Sequence, residues 1–241
     1  MVSSRTSVNL ARIRATAISR PLAADVSSVA PGPRRGPGPL IRTLGRAVNA
    51  AVARFPWSWR LFRGPVRRFS DSVAVGWGER VRTDSAEYLM ALRAALDRLP
   101  AKPARILDIG TGTGAAALEL ADRYPDAEVV GIDVSAKMVA QASAKAADLS
   151  SRVRFLVADI ASFEEEEGFD LIVMLNMPPF FDRVVALLRP GGFVVNASSY
   201  GARTPFFTPP GLLERGFERR GLRTIAAEQV GLGTYYLAKR G

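Results

Sequence analysis

The chain of 241 residues contains no cysteine and no histidine. The first absence excludes disulfides, thiolate nucleophiles and cysteine-based metal sites. The second removes the commonest general base and the commonest metal ligand. Neither a Cys–His pair nor a Ser–His–Asp triad can be assembled. Lysine is scarce too, at 4 of the 33 basic residues. No apolar run approaches the ~20 residues needed to span a bilayer, so no membrane span is expected. Any chemistry here must ask little of side chains and much of positioning.

Acidic residues are almost missing from the first third. Residues 1–83 hold fifteen Arg against three acids, a charge of +12, whereas residues 84–241 carry −2. Residues 1–39 are rich in Ser, Ala, Arg, Pro and Gly and end in Pro31-Gly-Pro-Arg-Arg-Gly-Pro-Gly-Pro39. That composition predicts a disordered basic leader. It is not a secretory signal, because Arg12, Arg14, Arg20 and Pro21 interrupt any apolar core. An organellar transit peptide and a start site assigned too far upstream both remain open; the expected location is cytoplasmic. Residues 40–83 read as a helical extension, and residues 84–241 as one α/β domain.

What is present is concentrated in Arg105-Ile-Leu-Asp-Ile-Gly-Thr-Gly-Thr-Gly114. An apolar β run carries Asp108 and empties into Gly110, Gly112 and Gly114. A helical pattern, Ala115 to Arg123, follows at once. Strand, glycine turn and helix start form the geometry that brings backbone N–H groups to a nucleotide-like ligand. Glu128 to Asp133 predicts a second strand whose terminal carboxylate suits ribose hydroxyls. A third, Val153 to Ala158, ends on Asp159-Ile160. A fourth, Phe169 to Leu175, ends on Asn176, and a fifth, Gly192 to Ala197, follows Arg189-Pro-Gly-Gly192. Ligands of open α/β sheets bind at such carboxyl ends.

Gly112-Thr-Gly-Ala-Ala-Ala117 also fits a dinucleotide fingerprint. Asp108 argues against that reading, since a carboxylate there would face an anionic pyrophosphate; it suits a cationic or zwitterionic ligand. The end of the chain agrees. Leu222 to Val230 and Gly233 to Lys239 are β runs joined by a link too short for a parallel crossover.

In these motifs the chain resembles the class I S-adenosylmethionine-dependent methyltransferases. The matching residues are Leu107 to Gly114, Gly131-Ile-Asp-Val-Ser135 with Met138, Ala158-Asp-Ile160, Phe169-Asp170 and Leu188-Arg-Pro-Gly-Gly192, in order over roughly the last two thirds of the chain. The resemblance implies a doubly wound, mostly parallel seven-stranded sheet in the order 3-2-1-4-5-7-6, with an antiparallel C-terminal hairpin, and S-adenosylmethionine as cofactor. It places Gly110, Thr111, Gly112 and Gly114 around the methionine moiety and Asp108 near its ammonium. Asp133 takes the ribose, Val134 and Met138 flank the adenine, Asp159 accepts from the adenine amino group, and Ile160 packs on the ring. A small-molecule acceptor is expected. An RNA acceptor, resting on the basic leader, and a non-catalytic cofactor-binding protein are the alternatives.

Five further segments carry expectations. Leu40 to Phe55 predicts an amphipathic helix, and Asp84 to Leu99 another, N-capped by Thr83 or Asp84. Between them, Phe62 to Trp77, with Phe69, Trp77 and Arg80 foremost, are candidates for a lid, joined by Phe206 and Phe207. Asn176-Met-Pro-Pro-Phe180 resembles the Asn-Pro-Pro-aromatic box of amino-group methyltransferases, but Met177 shifts its register; Asn176 remains a cofactor or substrate contact. Glu164 to Glu167 reads as a solvated loop.

Overall fold

The computed structural model describes residues 38–83, 85–149 and 151–241. The expected leader lies almost wholly outside the described residues, as do Asp84 and the side chains of Thr83 and Arg80. The elements are α1 (Pro39–Arg54), α2 (Trp59–Thr83), α3 (Ser85–Leu96), β1 (Arg105–Ile109), α4 (Ala115–Arg123), β2 (Glu128–Asp133), α5 (Ala136–Lys145), β3 (Val153–Val157), β4 (Phe169–Leu175), α6 (Phe181–Leu187), β5 (Leu188–Ser198), α7 (Pro210–Glu218), β6 (Leu222–Val230) and β7 (Gly233–Arg240).

All seven strands form one sheet in the order β3-β2-β1-β4-β5-β7-β6. The pairs among β1 to β5 are parallel, while β7 runs antiparallel to both β5 and β6. Gly231 and Leu232 alone join β6 to β7, as the short link requires. The central strands are apolar on both faces because helices cover both. Ile106 packs with α3 and α4 on one side; Leu107 and Ile109 pack with α6, α7, Val52 and Trp59 on the other. Full burial of a side chain such as Leu107 contributes about 1.5–3 kcal/mol.

Three differences from the sequence reading have physical causes. β5 begins at Leu188 rather than Gly192, because Arg189 to Gly191 bulge out of register beside Phe169 to Leu171 and the strand continues through them. The helix after Asn176, which the sequence predicts from Pro179 to Leu188, is shorter and runs from Phe181 to Leu187, since Pro178 and Pro179 hold the chain outside it. α7 was not anticipated; Pro210 starts it, and Leu213 and Phe217, four apart, are its buried contacts.

The acidic run is also more than a solvated loop. Glu165 and Glu167 join Arg105, Glu128, Arg154, Asp170 and Arg189 in an ion-pair network at the amino ends of the strands. Asp170 in addition accepts from the backbone N–H of Ala104 and Arg105 at 2.9 and 2.8 Å.

Candidate functional site

At the opposite, carboxyl edge the glycine turn is built from left-handed backbone. Gly110 has φ +72° and Gly114, which caps α4, has φ +85°. At Gly110 a Cβ would also come within 2.2 Å of the Met177 sulfur, so the position excludes any side chain twice over. The N–H groups of Gly110 and Thr111 both donate to the Ile132 carbonyl, tying the turn to the end of β2.

Asp108 lies beneath this turn, with no exposed surface, and neither carboxylate oxygen makes a hydrogen bond of normal geometry. The hydroxyls of Thr111 and Thr113 are likewise buried and unpartnered. Burial pushes the Asp108 carboxyl up to about 7, with the Asp133 charge adding to the effect; Thr111 and the Ala117 N–H lie near enough to ease it only in part. A buried carboxylate without a donor costs several kcal/mol unless a cation or donor arrives. Four orphaned polar atoms around one glycine turn therefore suit a polar, cationic ligand group such as an ammonium.

Asp133 ends β2 as expected. Its oxygens accept from the N–H of Gly112 (3.0 Å) and of Ser135 (2.8 Å). Burial raises its pKa, and those two backbone donors hold it back. Each oxygen keeps a lone pair for a further donor. Ser135, which caps α5 through the Met138 N–H, donates its hydroxyl to Asp71 of α2. Met138 is buried and Val134 half-buried beside it.

Asp159 follows β3, and its carboxylate is engaged by α2. The Trp59 indole N–H donates to Oδ1 at 2.7 Å and Arg63 pairs with Oδ2 at 3.0 Å. Trp59 is 2% exposed and meets Phe180 edge-on, with centroids 5.2 Å apart. Ile160 is buried in the same cluster. The α2 residues that hold the edge are thus Trp59, Arg63 and Asp71. Phe69, expected there, is half exposed to solvent. The aromatic stretch was the only sequence signal for Trp59; nothing in spacing marked Arg63 or Asp71.

Asn176 is the one described non-glycine residue with positive φ, +59°. Its amide is committed within the protein: Nδ2 donates to the Tyr88 hydroxyl and to Ser199 Oγ, while Oδ1 accepts from the Ser199 N–H. The Asn-Pro-Pro reading needs that amide for a substrate nitrogen, and here it is spent on Tyr88 and Ser199. Burial pushes the Tyr88 hydroxyl up to about 12, so it stays protonated and is no base. Tyr88, on α3, carried no motif and was missed.

Strand order, glycine edge and terminal hairpin define the class: this is the class I methyltransferase fold. Residues 106–192 match the methyltransferase domain family. The release factor glutamine methyltransferase of Salmonella typhimurium is 47% identical over 89 residues, 36% of this chain and 31% of that protein. A tRNA1(Val) (adenine(37)-N6)-methyltransferase of Porphyromonas gingivalis is 42% identical over 122 residues, covering 48% and 46%. The trans-aconitate 2-methyltransferase of Streptomyces avermitilis is 36% identical over 110 residues, covering 42% and 41%. The chain thus spans less than half the length of these relatives. A SAM-dependent methyltransferase from Aquifex aeolicus superposes with a TM-score of 0.55 at 20% identity, over 64% of this chain and 92% of that one.

Proposed function

We propose that the protein transfers a methyl group from S-adenosylmethionine to a small-molecule acceptor. The observation that carries the cofactor is Asp108, a buried carboxylate with no partner below a left-handed glycine turn. The bound cofactor would supply an electrophilic methyl on a sulfonium. Asp108 would hold its ammonium, Gly110 to Gly114 would admit its methionine end, Asp133 would accept from ribose, and Val134, Met138 and Ile160 would line the adenine. Asp159 would receive the adenine amino group in exchange for the Trp59 indole. Catalysis would rest on orientation and exclusion of water, since no His or Cys exists to shuttle a proton.

The small acceptor is supported by α2. Its Trp59, Arg63 and Asp71 cover the carboxyl edge from within the chain, which leaves a macromolecule little access. The committed amide of Asn176 speaks against the amino-group mechanism. Calorimetric titration with S-adenosylhomocysteine tests the cofactor, and tight binding of a nicotinamide dinucleotide in its place overturns the reading. Labelled methyl transfer into a metabolite extract, run beside RNA and protein fractions, tests the acceptor. Label in RNA or protein refutes the small-molecule assignment, and binding without label anywhere refutes turnover.

A further inference from the structure

Among the described residues, seven of the fourteen arginines in residues 84–241 form ion pairs with carboxylates. Arg93, Arg105, Arg123, Arg154 and Arg189 all pair with carboxylates. A cleft between α1 and α7, which shares no residue with the glycine edge, gathers arginines of both kinds. It encloses about 500 Å³ and is lined by Arg54 of α1, by Arg215, Arg219 and Arg220 at the end of α7, and by Ala53 and Phe181 among its apolar residues. No carboxylate lines it. Among the described residues Arg54, Arg215 and Arg219 form no ion pair. Arg220 is held in place: it pairs with Asp182 at 2.6 Å and lies over the Phe181 ring, 5.1 Å from the centroid.

We infer that this cleft binds a phosphate-bearing ligand, with the phosphate on Arg215 and Arg219 and its organic part on the apolar floor. A volume of this size falls in the range of small-ligand sites, roughly 300–1,000 Å³. Guanidinium forks match phosphate oxygens two at a time. One carboxylate occupies one fork, whereas a phosphate presents three oxygens and close to two charges, which suits several convergent arginines. The floor of Ala53, Leu212 and Phe181 gives a nucleobase an apolar seat, with Arg220 already stacked on the aromatic ring. The site stands independently of the methyl-transfer reading, because it shares no residue with the glycine edge.

The same phosphate can come from a free nucleotide or from the RNA backbone, and the test separates them. A 5′-nucleoside monophosphate and a short labelled RNA are each titrated, by calorimetry and fluorescence anisotropy, into the full chain and into R215A/R219A. The wild type should bind, and the double variant should bind roughly tenfold or more weakly. Loss of nucleotide binding assigns the free ligand. Loss confined to RNA assigns the backbone and should lower the salt slope by about 1.4, at about 0.7 per single-strand phosphate. Both arginines are exposed, so melting temperature and S-adenosylhomocysteine affinity should not move. Absence of binding by both ligands, equal binding by the variant, or equal competition by citrate overturns the proposal.

Discussion

The two edges of the sheet treat charge in opposite ways. At the amino edge every acidic group that meets the strands is answered: Asp170 receives two backbone N–H groups and Arg189, and Glu128 receives Arg105 and Arg154. Those partners hold both carboxyls below their ordinary range. At the carboxyl edge, three residues along the same strand from Arg105, Asp108 is fully buried, unanswered and pushed up to about 7. One edge is finished in the free protein, and at the other the proposed cofactor would supply the missing partner. On the proposed reading, the groups that stabilise the sheet and those that hold the cofactor lie at opposite ends of the same strands, so each should be removable without the other.

The largest effect is expected at Asp108. D108N should weaken S-adenosylhomocysteine by tenfold to a hundredfold, the range of a lost charge-assisted bond, while stabilising the free protein. The folded carboxyl titrates above its unfolded value, so the contribution of Asp108 to stability is most favourable below pH ~4 and is lost as pH rises to ~7. The total is about 4 kcal/mol, since each pKa unit is worth 1.36 kcal/mol. Thermal melts at pH 5 and pH 8 should therefore differ more for wild type than for D108N; equal pH dependence would mean Asp108 has a partner after all.

D170A inverts the outcome. It should cost about 2 kcal/mol through three lost hydrogen bonds and leave cofactor affinity unchanged. Because the folded Asp170 carboxyl titrates low, its contribution is present above its unfolded pKa and disappears as pH falls through the folded one. Denaturant melts at neutral and acid pH, paired with calorimetry, check both halves.

D133A is expected to weaken cofactor binding by no more than a few kcal/mol, as two hydrogen bonds to ribose are lost. Undiminished binding in calorimetry would misplace the ribose. W59F, by contrast, frees Asp159 from its indole donor while Ala161 still donates to the same oxygen. Cofactor affinity should rise by up to about tenfold, the worth of a bond to a charged group; unchanged affinity would mean Asp159 does not receive the adenine. The smallest effect is reserved for removal of residues 1–37, which composition makes dispensable. Melting temperature and cofactor affinity should both be retained, and a loss of either would show that the segment packs.

Much of the carboxyl edge was legible because it is local. Gly110, Gly114 and Asp108 lie within seven residues, and positive φ with close approach leaves glycine little alternative. Strands β2, β4 and β6 were readable to the residue: β2 and β4 because a strand buried on both faces is a nearly continuous apolar run, and β6 because it alternates between packed and exposed side chains and is bounded by glycines. The partners from other elements were not legible. Tyr88 lies 88 positions from Asn176, and Trp59 lies 100 from Asp159. No periodicity or spacing rule connects residues that far apart. The same holds for the acidic run, whose pairing with Arg105 and Arg154 depends on strands being neighbours.

The sequence by itself determined the strand–turn–helix with its backbone angles, the buried acid that suits a cation, the hairpin that closes the sheet, and the exclusion of His and Cys chemistry. Each follows from residues adjacent in the chain, where sterics and alternation act directly. Tertiary structure decided that α2 would cover the edge, that Asp159 would be held by Trp59 and Arg63, that Asn176 would be spent on Tyr88 and Ser199, and that four arginines would converge between α1 and α7. Those outcomes depend on which helix packs against which strand, a choice made by burial over the whole fold rather than by any one segment.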